Sequence, residues 1–464
     1  MKETVCALAT APGGALGIIR ISGPQSLEIL SHIFRGKGDV QSYPANTIHY
    51  GHIVEQELPS SLEEGQGVEA IIDEVMVSIF RAPHSYTGED SVEISCHGSR
   101  YILNKVLALL IENGCRQAGP GEFTQRAYLN GKMDLSQAEA VADLIASTNK
   151  ATHQMAMSQL RGHFSSQLTQ LREQLLKLTS LLELELDFSD HEDLEFADRT
   201  ELLELTKTID NHIIHLAHSF ETGQALKQGI PVAIVGKTNV GKSTLLNRLL
   251  KDDRAIVSDV HGTTRDTIED TIDINGVTFR FIDTAGIRQT SDEVEQIGIS
   301  RTYAAIEKAR IVLWIIDAVP TSSELQDIQD RCDAKSLIII QNKIDKGCSI
   351  TDDQLTITNY PLISISAKYG QGLDVLEDAI YQAADIPTIQ ASDVVVSNAR
   401  HYEALTRAHD HLIRVLDGLQ QQLSGDLLSE DLRLTLDTLA EITGGQITPN
   451  EVLGNIFKNF CVGK

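Results

Sequence analysis

The chain has 464 residues, of which 42% are hydrophobic and 22% are charged, a composition typical of soluble globular domains, about three of them at this length. The net charge of −26 argues against strong unaided binding of RNA, because that binding depends on Lys and Arg side chains that neutralise phosphates. No stretch approaches the roughly eighteen consecutive apolar residues of a membrane span, and the N-terminus has no basic leader of a secretory signal.

The first 125 residues are predicted to form a mixed α/β domain. Short apolar segments such as Leu16–Ile21 and Ile71–Phe80 alternate there with turn clusters. From Leu135 to about Leu186 the pattern changes to long helix. Apolar residues recur at steps of three and four on one face, which we expect to be bundle core: Phe164, Leu168, Leu171, Leu175, Leu178 and Leu182.

A second α/β domain is predicted between two helical segments. Ile230–Val235 is a continuous apolar run that ends at a glycine-rich loop, as expected for a buried parallel strand leading into a helix. We therefore predict four segments, with the helices on either side of the insertion closing into one bundle. They are the α/β domain 1–125, the first helical part 126–225, the inserted domain 226–386 and the second helical part 387–464.

The glycine-rich loop, residues 236–243 (GKTNVGKS), matches the phosphate-binding pattern G-x-x-x-x-G-K-[ST], whose backbone N–H groups cradle phosphates. Lys242 is expected to contact the β- and γ-phosphates, and the Ser243 hydroxyl to bind Mg²⁺. Gly262–Asp266 lies where a first switch should be, and Thr264 is the expected second Mg²⁺ ligand. The alternative for this segment is a capped turn that enters a strand.

Three later motifs follow in the order that a guanine-nucleotide switch requires: Asp283-Thr284-Ala285-Gly286, Asn342-Lys343-Ile344-Asp345 and Ser366-Ala367-Lys368. The Asp345 carboxylate explains a preference for guanine, because it accepts hydrogen bonds from a ring N–H and an amine that adenine lacks. The residues expected to contact GTP are Asn239, Val240, Gly241, Lys242, Ser243, Thr244, Ser258, Asp259, Val260, His261, Gly262, Thr263, Thr264, Asp283, Thr284, Ala285, Gly286, Asn342, Lys343, Asp345, Ser366, Ala367 and Lys368.

Ile287 stands where many GTPases have a Gln that orients the attacking water, so hydrolysis needs another source of positioning and positive charge. Asn239 and the segment Ser258–Thr263 offer oxygens near the phosphates, where a monovalent cation could replace an arginine finger. Glu295 could orient the water, although an acidic run such as Asp292–Glu295 is more often a solvated face.

Taken together, these motifs and several others resemble the MnmE (TrmE) family of tRNA modification GTPases over the whole length of the chain. The segments that carry the resemblance are Gly17–Gly23, Ser85–Asp90, Pro120–Thr124, Asn130–Leu135, Gln137–Ala140, Thr263–Asp266, Asp283–Arg288 and Phe460–Lys464. Thr238, in place of the usual Pro, and Ser258, in place of the usual Thr, depart from the family pattern. The resemblance implies a mixed α/β folate-binding domain, a helical bundle and an inserted Ras-like P-loop GTPase domain.

The resemblance also implies cofactors and their residues. The N-terminal domain would form a constitutive homodimer and bind 5-formyltetrahydrofolate, or a related tetrahydrofolate, through Arg20, Glu93, Lys132 and Lys464. A potassium ion would be held by Asn239, Ser258, Val260 and Thr263, and Glu295 would position the water. Cys461 matches a family cysteine for which a catalytic role is conceivable, whereas a lone cysteine is more often inert.

The family works with a FAD-dependent partner subunit, in a heterotetramer, on the wobble uridine of certain tRNAs. FAD would be bound only by that partner, which could also supply the RNA-binding surface that this acidic chain lacks. The scattered cysteines suit a reducing cytoplasm, where we expect the protein to act. Two alternatives are a ribosome-assembly or translation-factor GTPase, and a folate-binding scaffold with a degenerate nucleotide site.

Overall fold

The structure, a computed structural model, describes residues 3–57, 68–187, 199–253, 270–282, 303–332, 335–347, 360–387, 393–445, 450–458 and 460–463. The chain divides into two compact units. The first consists of Met1–Ile145, Gln159–Ala197 and Leu423–Lys464, and the second of Ala146–Ser158 and Asp198–Gln422. In the part of the chain that is described, no helix is long and apolar enough to cross a membrane. The four predicted segment boundaries stay a prediction.

The first unit contains a seven-stranded sheet. Its strands are β1 (Val5–Leu8), β2 (Leu16–Ser22), β3 (Phe34–Gly36), β4 (Thr47–Glu57), β5 (Val68–Phe80), β6 (Ser91–His97) and β7 (Arg116–Gln117). The spatial order is β3-β4-β5-β6-β2-β1-β7. Neighbouring strands are antiparallel except β1 and β7, which are parallel.

Side chains alternate between the two faces of this sheet. One face packs on helices α1 (Ser26–Ile33) and α2 (Arg100–Glu112), and its strands place Ile19, Val77 and Ile94 in a fully buried core. The other face carries large apolar side chains in contact with solvent. Ile48 and Tyr50 on β4 are 68% and 61% exposed, and Met76, the β5 partner of Tyr50, is half exposed.

Five further helices complete the first unit: α3 (Glu122–Leu129), α4 (Leu135–Ala146), α6 (His163–Asp187), α12 (Gly425–Thr443) and α13 (Asn450–Phe457), with α5 (Lys150–Leu160) running across the boundary between the units. The long helices α6 and α12 pack against each other. The predicted apolar face of α6 is confirmed, because all six of its residues from Phe164 to Leu182 are buried.

The second unit has its own helix pair, α7 (Arg199–Gln228) and α11 (Ala399–Gln420). The two helices are antiparallel, since Phe220 stacks on Tyr402 whereas Asp210, earlier in α7, bonds His409, later in α11. In each unit, therefore, a helix that precedes strand 230–235 packs on a helix that follows residue 398.

The second sheet has six strands: β8 (Ile230–Val235), β9 (Asp270–Ile274), β10 (Val277–Phe281), β11 (Ile311–Ile316), β12 (Ser336–Gln341) and β13 (Leu362–Ser364). The order is β13-β12-β11-β8-β10-β9, all parallel except the edge strand β9. Helices α8 (Lys242–Asp253), α9 (Ser322–Arg331) and α10 (Leu373–Ala383) accompany it.

Apolar clusters cover both faces of this sheet. This explains why its central strands are largely apolar runs, because nearly all of their side chains are buried on one face or the other. The strand order and the single antiparallel edge strand are those of a Ras-like domain, so the predicted fold class is confirmed. The carboxyl ends of β8, β11 and β12 lie at one edge, where ligands of open α/β sheets bind.

Candidate nucleotide site and tail site

The phosphate-binding loop follows β8 directly. Gly241, the residue before α8, has φ of +107°, and a Cβ there would overlap the side-chain amide of Asn342. Only glycine therefore lets the loop close against the Asn342 motif. Lys242 reaches back across the loop, and its Nζ donates to the carbonyls of Gly236 at 2.6 Å and Lys237 at 2.7 Å. Burial lowers the pKa of Lys242 because it disfavours the charged ammonium. A bound phosphate would stabilise that ammonium with its negative charge.

The first turn of α8 offers the oxygen that a magnesium ion requires. Ser243 and Thr244 follow Lys242 at the start of the helix, where the backbone N–H groups favour an anion. Mg²⁺ prefers oxygen ligands and shares them with substrate phosphates, so the Ser243 hydroxyl beside a phosphate loop fits it.

Asn342 joins three of the predicted motifs. It is buried, its Nδ2 donates to the carbonyl of Val240 at 2.8 Å, and its Oδ1 accepts from the N–H of Ala367 at 3.0 Å. Ser366 Oγ donates to Asp345 Oδ1 at 2.7 Å, which fixes the carboxylate that is expected to read guanine. The phosphate loop, the Asn342–Asp345 motif and the Ser366–Lys368 motif are therefore one connected structure.

Two charged residues also belong to the described part of the nucleotide site. Lys343, at φ of +67°, places its Nζ 2.7 Å from the carbonyl oxygen of Asn239 and 2.7 Å from Oδ2 of Asp317. The ammonium of Lys368 lies 5.0 Å from the ring centroid of Tyr369. Asp317 was not predicted from the sequence, although its place directly after β11 matches that of the other motif residues after their strands.

Several predicted site residues lie outside the described residues, and their roles stay predictions. They are Ser258, Asp259, Val260, His261, Gly262, Thr263, Thr264, Asp283, Thr284, Ala285, Gly286, Ile287, Glu295 and Lys464.

A second constellation, the tail site, lies in the first unit and consists of Arg20, Tyr86, Glu93, Phe123 and the tail segment 460–463. Arg20 on β2 is directly opposite Glu93 on β6, and its Nη2 lies 2.7 Å from Glu93 Oε1. The guanidinium carbon of Arg20 is 5.6 Å from the ring centroids of both Tyr86 and Phe123. The remaining amino group, Nη1, donates to the carbonyl of Gly463 at 3.3 Å.

Backbone contacts hold the tail segment in this place. Pro120 and Val462 form a β-bridge, and the N–H of Gly121 donates to the carbonyl of Cys461 at 3.3 Å. Gly463 has φ of +95°, and a Cβ there would overlap the carbonyl oxygen of Leu8. Cys461 is exposed, whereas Cys6, Cys96, Cys115 and Cys332 are buried, and none of these five forms a disulfide.

The structure brings Arg20 and Glu93 together, but it gives no contact between them and Lys132, whose Nζ donates to the carbonyl of Pro83 at 3.0 Å. The Lys132 stem lies beside Gly88, in the loop that also carries Tyr86. Aromatic rings next to a guanidinium suit a flat heteroaromatic ligand, and the positive charge suits a carboxylate tail. These residues therefore fit a folate.

A buried charge network supports the tail site and was not predicted from the sequence. Arg126 donates to Glu89 at 2.9 Å, to Glu122 at 2.9 Å and to the carbonyl of Glu3 at 2.9 Å. Glu122 also accepts from Arg116 at 2.6 Å and from the N–H of Gly119 at 2.9 Å. The spacing of Glu122 and Arg126, four residues apart in a helix, was the available signal. The network fixes the loop 119–121 that contacts the tail segment.

The fold and the nucleotide site together define a P-loop guanine-nucleotide-binding protein with a second, separately folded β-sheet unit. Residues 4–132 match the family described as GTP-binding protein TrmE N-terminus, and residues 135–461 match the MnmE helical domain. The chain is similar over its full length to proteins named tRNA modification GTPase MnmE. The one from Phocaeicola vulgatus is 53% identical, with 100% of this chain and 99% of that protein covered.

The corresponding protein of Bacteroides thetaiotaomicron is 53% identical and that of Christiangramia forsetii 47% identical, each with 100% of both chains covered. The chain belongs to the MnmE family of tRNA modification GTPases. Family membership favours the modification enzyme over the ribosome-assembly factor, and the connected nucleotide site speaks against a degenerate one.

Proposed function

We propose that the protein is a potassium-activated GTPase that acts with a FAD-dependent partner on the wobble uridine of certain tRNAs. The pair would add a carboxymethylaminomethyl or aminomethyl group to C5 of that base, with the one-carbon unit coming from a tetrahydrofolate. The observation that carries the proposal is that one chain of this family combines a connected guanine-nucleotide site with an Arg20–Glu93 site that fits a folate.

For the nucleotide reaction we assign residues as follows. Lys242 binds the β- and γ-phosphates, and Ser243 with Thr264 would hold Mg²⁺, which neutralises phosphate charge when bound. Asn239, at φ of +62° in the phosphate loop, would hold K⁺ with Ser258, Val260 and Thr263. Asn239 fits a hard cation because its side chain offers an amide oxygen. Glu295 would orient the water that Ile287 cannot.

For the folate we assign Arg20, Glu93, Lys132 and Lys464. The Arg20 guanidinium, paired with Glu93 and 5.6 Å from the ring centroids of Tyr86 and Phe123, is oriented before a ligand arrives. Preorganised charge binds a carboxylate more tightly than a mobile lysine would. Cys461 is exposed beside this site, which is compatible with the proposed chemical role.

We also propose a homodimer formed through the sheet face that carries Ile48, Tyr50 and Met76. These large apolar side chains are neighbours on adjacent strands and would be buried by a second copy of the sheet. The FAD-dependent partner would bring most of the RNA contact, because the net charge of this chain is −26. The five described cysteines form no disulfide, which agrees with the proposed cytoplasmic site of action.

Hydrolysis of GTP in matched KCl and NaCl tests the nucleotide part. We expect turnover to be slower in NaCl by about tenfold or more, because a potassium site that Na⁺ does not occupy leaves the transition state without that positive charge near the phosphates. Glu295→Ala should lower turnover while GTP affinity barely changes. Equal rates in both salts would refute potassium activation, and equal loss of turnover and affinity would show that Glu295 has a structural role.

Equilibrium dialysis with 5-formyltetrahydrofolate tests the folate part. We expect Arg20→Ala to weaken binding by about tenfold or more, since it removes a charge-assisted contact. Arg35→Ala is the matched control, because Arg35 also pairs with a glutamate, Glu69, on the same sheet but far from the tail segment. Equal loss in both variants, or wild-type binding in Arg20→Ala, would contradict the assignment.

A further inference from the structure

Asp317, Lys343 and Asn239 form a chain of contacts across the edge of the second sheet. Strands β11 and β12 are parallel with Ile316 opposite Gln341, so the residues that follow them emerge side by side. Lys343 bridges the Asp317 carboxylate and the Asn239 carbonyl, with its Nζ 2.7 Å from Asp317 Oδ2 and 2.7 Å from the carbonyl oxygen of Asn239. One ammonium thus connects an acid that follows β11 to the phosphate loop.

The Asn239 end of this contact is conformationally unusual. Asn239 has φ of +62°, in the left-handed region. Its carbonyl therefore has a different orientation from that of a loop residue with negative φ. A bond from a charged donor is stronger than one from a neutral donor, so Lys343 is the main restraint that the described contacts give this carbonyl. The orientation of the Asn239 peptide also sets where its side chain can point.

Lys343 needs a second anchor to hold that carbonyl in one place. A lysine ammonium is a mobile point charge on a flexible stem, with three rotatable donors. Asp317 supplies the anchor. The side chains of the pair are 29% and 36% exposed, so the pair adds little to folding stability, and its effect is mainly on geometry.

We propose that Asp317 is a positioning residue that acts through Lys343 to fix Asn239 in the phosphate loop, and so sets the affinity of the site for potassium. The proposal rests on the potassium activation proposed above. It assigns to Asp317 a link between the guanine-reading motif and the phosphate loop, because Lys343 contacts both Asp317 and the Asn239 carbonyl.

A second acid near the loop provides a matched control. Glu324 pairs with Lys237 at 2.6 Å, so it also neutralises a lysine of the phosphate loop. The Lys237 side chain is 70% exposed, and the pair has no described contact with Asn239. Glu324→Gln therefore removes the same charge as Asp317→Asn without disturbing the Asn239 carbonyl.

The experiment compares Asp317→Asn and Glu324→Gln in the full chain. The K⁺ concentration for half-maximal GTP hydrolysis should rise about fivefold in Asp317→Asn, and release of a fluorescent GDP analogue in NaCl should become about threefold faster. Glu324→Gln should leave both values within about twofold of the wild type. In a Lys343→Met background, Asp317→Asn should add nothing to either change.

The outcomes separate the two proposals. No change in either value for Asp317→Asn, an equal change in Glu324→Gln, or an additive change in the Lys343→Met background overturns the positioning role. Wild-type protein that is insensitive to K⁺ would refute the proposed potassium activation and, with it, the assigned effect on potassium affinity. In that case, GDP release could still become faster in Asp317→Asn and not in the Lys343→Met background. This result would show that Asp317 positions the phosphate loop for nucleotide binding without an effect on potassium.

Discussion

The nucleotide site and the tail site are built in opposite ways. The nucleotide site joins residues 236–368, each motif directly after a buried parallel strand, and its central contact is the uncharged, buried amide of Asn342. In the tail site, Arg20 pairs with Glu93 across antiparallel strands and donates to the Gly463 carbonyl, and backbone contacts to residues 120 and 121 hold the tail segment. The first site follows from the sheet itself, whereas we expect that the tail segment can be released while the sheet stays folded.

Lys242→Ala should give the largest effect and leave the tail site intact. Loss of the ammonium that we propose to bind the phosphates should lower kcat/KM for GTP by about 10²- to 10³-fold. Folate binding, measured by equilibrium dialysis, should stay at the wild-type value. Loss of both GTP hydrolysis and folate binding would mean that the two sites are not independent.

Asp345→Asn should change which base the nucleotide site accepts. The carboxylate is held by Ser366, and its amide replacement would face the guanine N–H with a donor. GTP affinity should fall about 10²-fold and affinity for xanthosine triphosphate should rise, as competition binding would report. A uniform loss for both nucleotides would contradict the base-reading role.

Asn342→Ala should destabilise the second unit by roughly 2–4 kcal/mol, because two buried backbone groups lose their partner. Trp314, the single tryptophan of the chain, lies in β11 and reports this unit by its fluorescence during urea unfolding. Ser364→Ala is the control, since it removes a half-buried bond to Gln341 at the same sheet edge. Equal decreases in the free energy of unfolding of the two variants would show that Asn342 contributes no more than an ordinary contact at the sheet edge.

Gly463→Ala should release the tail segment and leave the nucleotide site unchanged. A Cβ at φ of +95° is strained and overlaps the Leu8 carbonyl, which should lower the docked population about tenfold. A fluorophore on exposed Cys461, in a Cys348→Ser background, would show this as lower anisotropy. Burial raises the pKa of Cys96 to about 11, which protects that thiol from labelling.

Gly454→Ala is the matched control for the tail segment, because a Cβ there meets nothing within 4 Å. It lies in α13, where alanine is the better helix former, so anisotropy should not fall. A decrease in both variants would assign the effect to general loosening rather than to the Leu8 contact.

Acid should release the tail segment, and the change in anisotropy should be the smallest of the predicted effects. Burial would raise the pKa of Glu122, but hydrogen bonds from Arg116, the Gly119 N–H and Arg126 outweigh it and lower the pKa below its ordinary 4.5. The stabilisation from Glu122 is therefore present above pH 4.5 and is lost as the pH falls through the lowered pKa. Glu122→Gln should flatten this part of the anisotropy titration, and an unchanged titration would exclude Glu122 as its source.

The sequence predicts the nucleotide site well and the tail site poorly, for a physical reason. Asn342, Lys343 and Asp345 follow an apolar run that can only be a buried strand, so their place at the sheet edge follows from topology. Asp317 has no recognisable motif around it, although it follows β11 in the same way. Arg20 and Glu93 were found through family resemblance, since nothing in their spacing shows that β2 and β6 are neighbours.

The charge network shows the same limit. Arg126 contacts Glu89 and the carbonyl of Glu3, partners that are 37 and 123 residues away. Such pairs depend on which strands become neighbours, and local patterns carry no information about that. His97 is a further case: the sequence shows no partner for it, yet its Nδ1 lies 2.7 Å from Asp73 Oδ1 on the adjacent part of the sheet.

The first unit is built from three separate stretches of the chain, so its parts become available at different times during synthesis. Its sheet emerges from the ribosome first, and the stretch 423–463 follows only after the whole second unit has been made. At about 5–20 residues per second, Arg20 and the loop 119–121 wait tens of seconds for the tail segment. A nascent chain can therefore fold its GTPase domain before the tail site exists.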